Sequence, residues 1–247
     1  MFDLTIEGPV ARLVLSRPEA RNAIPVDGWN QLASTAQGAV ESGASVLILS
    51  GEPGGAFCAG ADVSDFHRFE ADPEARTAFR SAIREGLDWL CDLPVPTIAL
   101  VEGVCYGAGV ALAMACDIRI AGEGAQFAIT PAKLGISYPQ EDVHRLVSLV
   151  GPGQAARLLL SAATIDGAEA ARIGLVELYA EDAAAGAAGL AAAIAANDPD
   201  SLRTLKRAVG LASSGVDKDE AQDRAFDDLL GSEALARGLQ AYRERAR

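Results

Sequence analysis

The stretch GVCYGAGVALAMACD, from Gly103 to Asp117, constrains this chain more than any other. It follows VPTIALV, an apolar, β-branched run with the pattern of a buried strand. Gly103, Gly107 and Gly109 interrupt that pattern, and VALAMAC then supplies small apolar residues up to Asp117. The order predicts a strand, a glycine turn and a buried helix. Glycine lets a backbone approach a ligand closely, and the first amides of a helix lack an intrahelical partner. Such a turn suits a negative charge, either a phosphate or a developing oxyanion. It also serves as a plain connection with no ligand. A second glycine turn, GEPGGAFCAGAD at Gly51 to Asp62, follows the strand-like run SVLILSG and weighs toward a ligand.

Around these two turns the pattern alternates between strands and helices. Residues 4 to 16 predict a hairpin turning at Gly8-Pro9. Residues 26 to 42 predict a helix through Trp29, Leu32, Ala33 and Ala36. Val63 to Leu90 reads as mostly helical, broken near Asp72-Pro73, with Phe66, Phe69 and Phe79 as apolar anchors. IRIAGEGAQFAI predicts two short strands, TPAKLGISYPQED a loop and VHRLVSLVG a helix. From Gly151 onward alanine-rich helices follow at 153 to 161, 166 to 173 and 183 to 196. Asp198-Pro199 starts another helix, and two more run from about Lys218 to Leu230 and from Ser232 onward. The expected class is α/β, with a core over 1–190 and a helical region over 191–247.

Half of the 247 residues are hydrophobic, enough for a sizeable core. The net charge of −13 argues against nucleic acid and anionic membranes as partners, and no apolar run reaches membrane-spanning length. The N-terminal residues lack a secretory signal pattern. Cys58, Cys91, Cys105 and Cys116 form no CxxC pair, which predicts reduced thiols and a cytoplasmic protein. His67 and His144 lie far apart without ligand-spaced partners, so no metal site is expected. No serine or cysteine follows Ala108 within its turn to act as a nucleophile. GAGVAL lacks the third glycine and the acid of a dinucleotide fingerprint.

Five stretches, in this order, resemble the crotonase (enoyl-CoA hydratase/isomerase) superfamily. They are RPEARNAI, GAFCAGADV at 55 to 63, GVCYGAGVALAMACDIRIA at 103 to 121, AQFAITPAKLGI at 125 to 136 and RLLLSAATIDGAEAARIGLV at 157 to 176. The resemblance implies a crotonase/ClpP-like spiral of ββα units with a C-terminal helical trimerisation region, in a homotrimer or homohexamer. It implies an acyl-CoA substrate, with coenzyme A as part of the thioester and no tightly bound cofactor. The thioester oxygen would lie between the N–H groups of Ala61 and Ala108. Coenzyme A would meet Arg17, Ala20 and Arg21, with the Ala59 carbonyl facing the adenine amino group. Tyr242 and Arg245, in LQAYRERAR, would contact adenine and phosphate, across to a neighbouring subunit.

The pattern also departs from the family. Hydratases place two glutamates where this chain has Ala111 and Pro131, so isomerase or decarboxylase-type chemistry is expected ahead of hydration. TPAKLGISYP resembles the loop of the methylmalonyl-CoA decarboxylase branch, which carries a tyrosine at the place of Tyr138. That branch has a histidine where this chain has Ala61. Tyr138 would orient a carboxylate or protonate the product carbon, or simply pack. Glu141 and Asp142 are candidate acids for an apolar acyl pocket, where burial would raise the pKa, or else first-turn helix residues. Asp62 reads as a helix cap. The alternative to an enzyme is a non-catalytic acyl-CoA-binding oligomer.

Overall fold

The computed structural model describes residues 1–245, the side chains of Asp65, Ala241 and Arg245 excepted. A six-stranded sheet holds, in spatial order, β1 (Phe2–Glu7), β2 (Val10–Leu15), β3 (Val46–Gly51), β4 (Thr97–Val101), β6 (Ile118–Ala121) and β9 (Leu178–Tyr179). β1 and β2 form the expected antiparallel hairpin, with Glu7 opposite Val10 and Gly8 in its turn at φ +62°. All other neighbours in this sheet are parallel. Every residue of β4 is buried, as expected for parallel strands covered on both faces.

A second, three-stranded sheet contains β5 (Val104–Tyr106), β7 (Gln126–Ala128) and β8 (Ile165–Asp166). The chain visits both sheets in each pass and then forms a helix. One pass is β4, β5 and α3 (Ala108–Met114), where α1 is Val26–Glu41 and α2 is Pro73–Cys91. The next is β6, β7 and α4 (Gln140–Ser161). In the pass before, Cys58 forms a single bridge to Cys105 of β5 and so stands in for a strand. This is the spiral of ββα units that the motifs imply. α4 bends at Gly151, whose φ of 73° and ψ of 163° are not helical, just before Pro152. The two helical stretches predicted on either side of Gly151 are therefore found, separated by that non-helical residue.

The main core lies between the sheets and α1, α2 and α3, with Trp29, Leu32, Phe57, Leu87 and Phe127 nearly inaccessible. After α5 (Gly167–Arg172), α6 (Ala183–Ala195) covers the opposite face of the large sheet. Ala183, Ala187 and Ala191 recur every four residues and pack on Val46, Ile48, Ile98, Leu100 and Ile120. Residues 190 and 191, at the predicted division of core from C-terminal region, both lie inside this helix. α7 (Pro199–Ser213) and α8 (Glu220–Leu230) have no fully buried residue, and α9 is Glu233–Arg245. Leu205, Val209, Phe226 and Leu230 on α7 and α8 are exposed.

Close backbone packing joins the two glycine turns. A Cβ on Gly109 would fall 2.1 Å from the Cys58 carbonyl oxygen. Gly186 in α6 has nothing within 4 Å of the same position. Gly109→Ala is expected to destabilise the fold by about 1–3 kcal/mol, because backbone must shift to admit the methyl. Gly186→Ala is expected to stabilise it by about 0.5–1 kcal/mol through helix propensity. Urea unfolding of both variants checks the contrast; equal effects would contradict it.

Candidate active site

The turn after β3 and the turn after β5 are stitched together by their backbones. The Cys58 amide donates to the Val104 carbonyl at 3.0 Å, and the Tyr106 amide to the Cys58 carbonyl at 2.9 Å. Gly60, at φ +104°, comes so close that a Cβ there would lie 2.8 Å from the Tyr106 oxygen and 3.2 Å from the Ala108 amide nitrogen. The peptide units Gly60–Ala61 and Gly107–Ala108 are therefore near neighbours.

Each of these units is held by its carbonyl. Gly60 O accepts from the Ile24 amide at 2.8 Å. Gly107 O accepts from the Val110 amide at 3.0 Å and from the Tyr138 hydroxyl at 3.0 Å. A trans peptide is planar, with C=O and N–H on opposite sides. Fixing the carbonyls therefore fixes the amides. Neither the Ala61 nor the Ala108 N–H donates to another group among the described residues. Gly107 adopts φ +52° and ψ −118°, a conformation that a Cβ would oppose. Two free donors on adjacent, anchored peptides have the chemistry that a developing negative oxygen requires.

The loop before α1 braces the first of these turns. Arg17 Nη1 donates to Asp62 Oδ2 at 2.6 Å and to the Ala23 carbonyl at 2.9 Å. Asp62 caps the 3-10 turn Val63–Phe69 by accepting from the Ser64 amide. The Ser64 hydrogen bonds and the Arg17 guanidinium hold its carboxyl below the usual aspartate range. Asn22 is buried and left-handed, at φ 58°. It accepts from the Arg17 amide at 2.8 Å and donates to the Ala56 carbonyl at 2.6 Å. Sequence reasoning did not single out Asn22; its only local signal is asparagine's tolerance of the left-handed region.

The expected coenzyme A contacts divide into two groups. Arg17, Ala20, Arg21 and Ala59 share one loop cluster, since the Ala59 amide donates to the Arg21 carbonyl at 2.9 Å. Arg21 is exposed, and the Ala59 carbonyl accepts no hydrogen bond among the described residues. Arg17, by contrast, has its guanidinium engaged with Asp62. Tyr242 is 73% exposed on α9, and the side chain of Arg245 lies outside the described residues.

The candidate acids and bases are placed as follows. Ala111 is buried in α3 and Pro131 opens the turn Pro131–Leu134, so neither position presents a carboxylate. Tyr138 reaches the oxyanion turn, and burial raises its phenol well above the ordinary tyrosine value. Glu141 is exposed and lines a cavity of about 170 Å³ with Arg80, Arg84 and Asp142. Asp142 is 1% exposed, 3.3 Å from Arg84 and 3.5 Å from Arg145. Burial raises its pKa, against the pull of the two arginines. The apolar acyl pocket expected around these acids is thus replaced by an ion-pair cluster in the first turn of α4.

An apolar groove of about 500 Å³ lies elsewhere, lined by Phe66, Phe69, Phe79, Leu134 and Ile136, with Glu70 and Arg76. The ring centroids of Phe69 and Phe79 are 4.8 Å apart. Its walls are the segment that leaves Ala61 and the segment that leads to Tyr138. Burial pushes the Cys58 and Cys116 thiols up to about 12, which keeps them protonated and poor nucleophiles. Among the described residues no cluster of His, Cys, Asp and Glu could hold a metal, and no helix is long and apolar enough to cross a membrane.

The family model described as enoyl-CoA hydratase/isomerase matches residues 5–247. YngF of Bacillus subtilis (strain 168), named as an enoyl-CoA hydratase/isomerase, is 32% identical over 247 residues, covering 96% of this chain and 93% of that protein. The mitochondrial methylglutaconyl-CoA hydratase of Mus musculus is 31% identical over 249 residues, 94% of this chain and 76% of that one. The structure of an enoyl-CoA hydratase/carnithine racemase from Magnetospirillum magneticum matches with a TM-score of 0.93 at 30% identity, over 99% of this chain and 92% of that one.

The Asp62 brace has a pH signature. Its carboxyl is depressed on folding, so its contribution is present above the ordinary value of 3.8 and is lost as pH falls below it. Asp62→Ala, which removes the cap and the ion pair, should cost about 1–2 kcal/mol at pH 7. The difference from wild type in urea unfolding should shrink as the pH is lowered through the acidic range. A difference independent of pH would contradict this role.

Proposed function

The chain belongs to the enoyl-CoA hydratase/isomerase family, and from that premise we propose that it is an acyl-CoA-processing enzyme that stabilises a thioester enolate between the Ala61 and Ala108 amides. The observation that carries this reading is the pair of adjacent peptides whose carbonyls are anchored and whose N–H groups are free. A thioester carbonyl seated between them gains negative charge as the α-carbon bond breaks. Two preorganised donors then bind the transition state better than the ground state. Each is worth about 100- to 1000-fold in rate.

The reaction class follows from what stands beside the hole. Hydration needs positioned groups to hold water and move its proton. At the two positions where the resemblance puts glutamates there are Ala111 and Pro131, and the hydratase names of relatives do not carry over past that difference. Isomerase or decarboxylase-type chemistry fits better. Decarboxylation asks least of the side chains. The electrons of the breaking carbon–carboxylate bond pass to the thioester oxygen, carbon dioxide leaves, and as the enolate collapses the α-carbon takes a proton from solvent water. No base is needed at that carbon. The phenylalanine-lined groove, walled by the segment that follows Ala61 and the segment that precedes Tyr138, would take the acyl group, and the Ala59–Arg21 loop would take the nucleotide. The exposed apolar residues of α7 and α8 fit a trimeric or hexameric assembly, in which Tyr242 and Arg245 would reach a neighbouring subunit's coenzyme A. Nothing in the charge balance calls for a nucleic acid or membrane partner, and a cytoplasmic setting suits the reduced thiols.

Two outcomes are expected. Ala108→Pro, which deletes one donor, should abolish turnover of any acyl-CoA substrate found in a panel, while Ala108→Gly should change it only mildly. Circular dichroism must show both folded, and equal activity would remove Ala108 from the mechanism. Wild type should hydrate crotonyl-CoA far more slowly than a hydratase with both glutamates, since each positioned acid or base contributes about 100- to 10000-fold. Ala111→Glu combined with Pro131→Glu should raise that rate, read as loss of enoyl thioester absorbance. Rapid hydration by wild type would contradict the assignment of these two positions.

A further inference from the structure

We infer that Tyr138 is a positioning residue of the oxyanion hole, its hydroxyl fixing and polarising the Gly107–Ala108 peptide whose N–H meets the thioester oxygen. The inference rests on the acyl-CoA reading above and adds a role within that site. The observation is the 3.0 Å hydrogen bond from the Tyr138 hydroxyl to the Gly107 carbonyl, across 31 residues of sequence. It gives Tyr138 a task different from holding a substrate carboxylate or protonating a carbon, because the phenol proton faces the backbone.

Three features make this bond consequential. First, the Gly107 carbonyl already accepts from the Val110 amide at 3.0 Å and, more distantly, from the Ala111 amide at 3.4 Å. A further donor draws more electron density onto that oxygen and leaves the N–H of the same peptide more positive. Hydrogen-bond chains polarise one another by roughly 10–30% per bond. Second, Gly107 lacks the Cβ that would restrict its rotation, and its φ of +52° and ψ of −118° are not a common resting conformation. Its amide is tied to the Ala128 carbonyl at 2.8 Å, and Tyr138 ties its carbonyl. The two peptide units that flank the Gly107 α-carbon are thus each tied down, the preceding one through its N–H and the Gly107–Ala108 one through its carbonyl. Third, burial raises the phenol well above the ordinary tyrosine value, so the hydroxyl keeps its proton near neutral pH.

At Gly60–Ala61 the carbonyl is anchored by a backbone amide, that of Ile24, at 2.8 Å, with the Cys58 thiol as a weaker, longer donor at 3.7 Å. The two halves of the hole therefore differ in degree: both carbonyls accept from backbone amides, and the Gly107 one accepts in addition from a strong hydroxyl donor that a single substitution removes. Tyr138 itself packs against the main core, so Tyr138→Phe keeps the ring in place and removes only the hydroxyl.

The test uses the full-length protein and a para-dimethylaminocinnamoyl thioester of coenzyme A, whose absorbance moves to the red when its carbonyl is polarised. Wild type should bind the probe and shift it. Tyr138→Phe should bind within about threefold of the wild-type dissociation constant yet lose half or more of the red shift. Turnover of any substrate found for wild type should fall about tenfold with KM little changed. Replacing Tyr138 by 3-fluorotyrosine, a stronger donor, should enlarge the red shift, which a merely packing role cannot do. Thermal unfolding of each variant confirms the fold. A full red shift in Tyr138→Phe, or no enlargement with 3-fluorotyrosine, would overturn the positioning role alone. Failure of wild type to bind the probe would overturn the acyl-CoA reading, and this inference with it.

Discussion

The contact on which the rest of this structure depends is the approach of Gly60 to the backbone of Tyr106 and Ala108. A side chain at Gly60 would meet an oxygen at 2.8 Å and a nitrogen at 3.2 Å, so only glycine admits the arrangement. Gly109 does the same from the other side, facing Cys58. These near-collisions place two peptide units from distant parts of the chain side by side. Parallel pairing carries β3 and β4 to the same edge, and the Cys58–Cys105 bridge aligns the turns that follow them.

Rigidity comes from hydrogen bonds made behind the site. Ile24 anchors one carbonyl, Val110 and Tyr138 the other. Arg17 and Asn22 then brace the loop that carries Ile24. Removing substrate from water strengthens interactions with such donors, and their orientation costs nothing at the moment of reaction. The protein's charge of −13 makes this local arrangement more necessary, since the overall field favours no anion.

Much of this was legible in the sequence where the signal was local. Gly60, Gly107 and Gly109 mark tight backbone, and the apolar runs before them mark buried strands. The break at Asp72-Pro73 and the interruption at Gly151 could be read from single residues. Long-range pairings could not. Arg17 reads as a ligand contact through the family resemblance, and nothing nearby in sequence shows that Asp62 will pair with it. Asn22 looks like an ordinary loop residue until Ala56 is brought to it. Glu141 and Asp142 carried two readings, and the first-turn helix reading describes their placement. Burial raises the pKa of Asp142 against the pull of Arg84 and Arg145, which pair with it. The scaffold is therefore far more legible than the reaction, which depends on a few side chains around a shared backbone device.

The most direct test of that device is the infrared stretch of a bound acyl-CoA whose thioester carbonyl carries carbon-13. The labelled band, isolated by difference from the unlabelled ligand, reports only that bond. Two amide donors on its oxygen should move it to lower wavenumber than in water, and Ala108→Pro should move it part of the way back. A bound thioester with an unshifted carbonyl would mean that the Ala61 and Ala108 amides do not form an oxyanion hole.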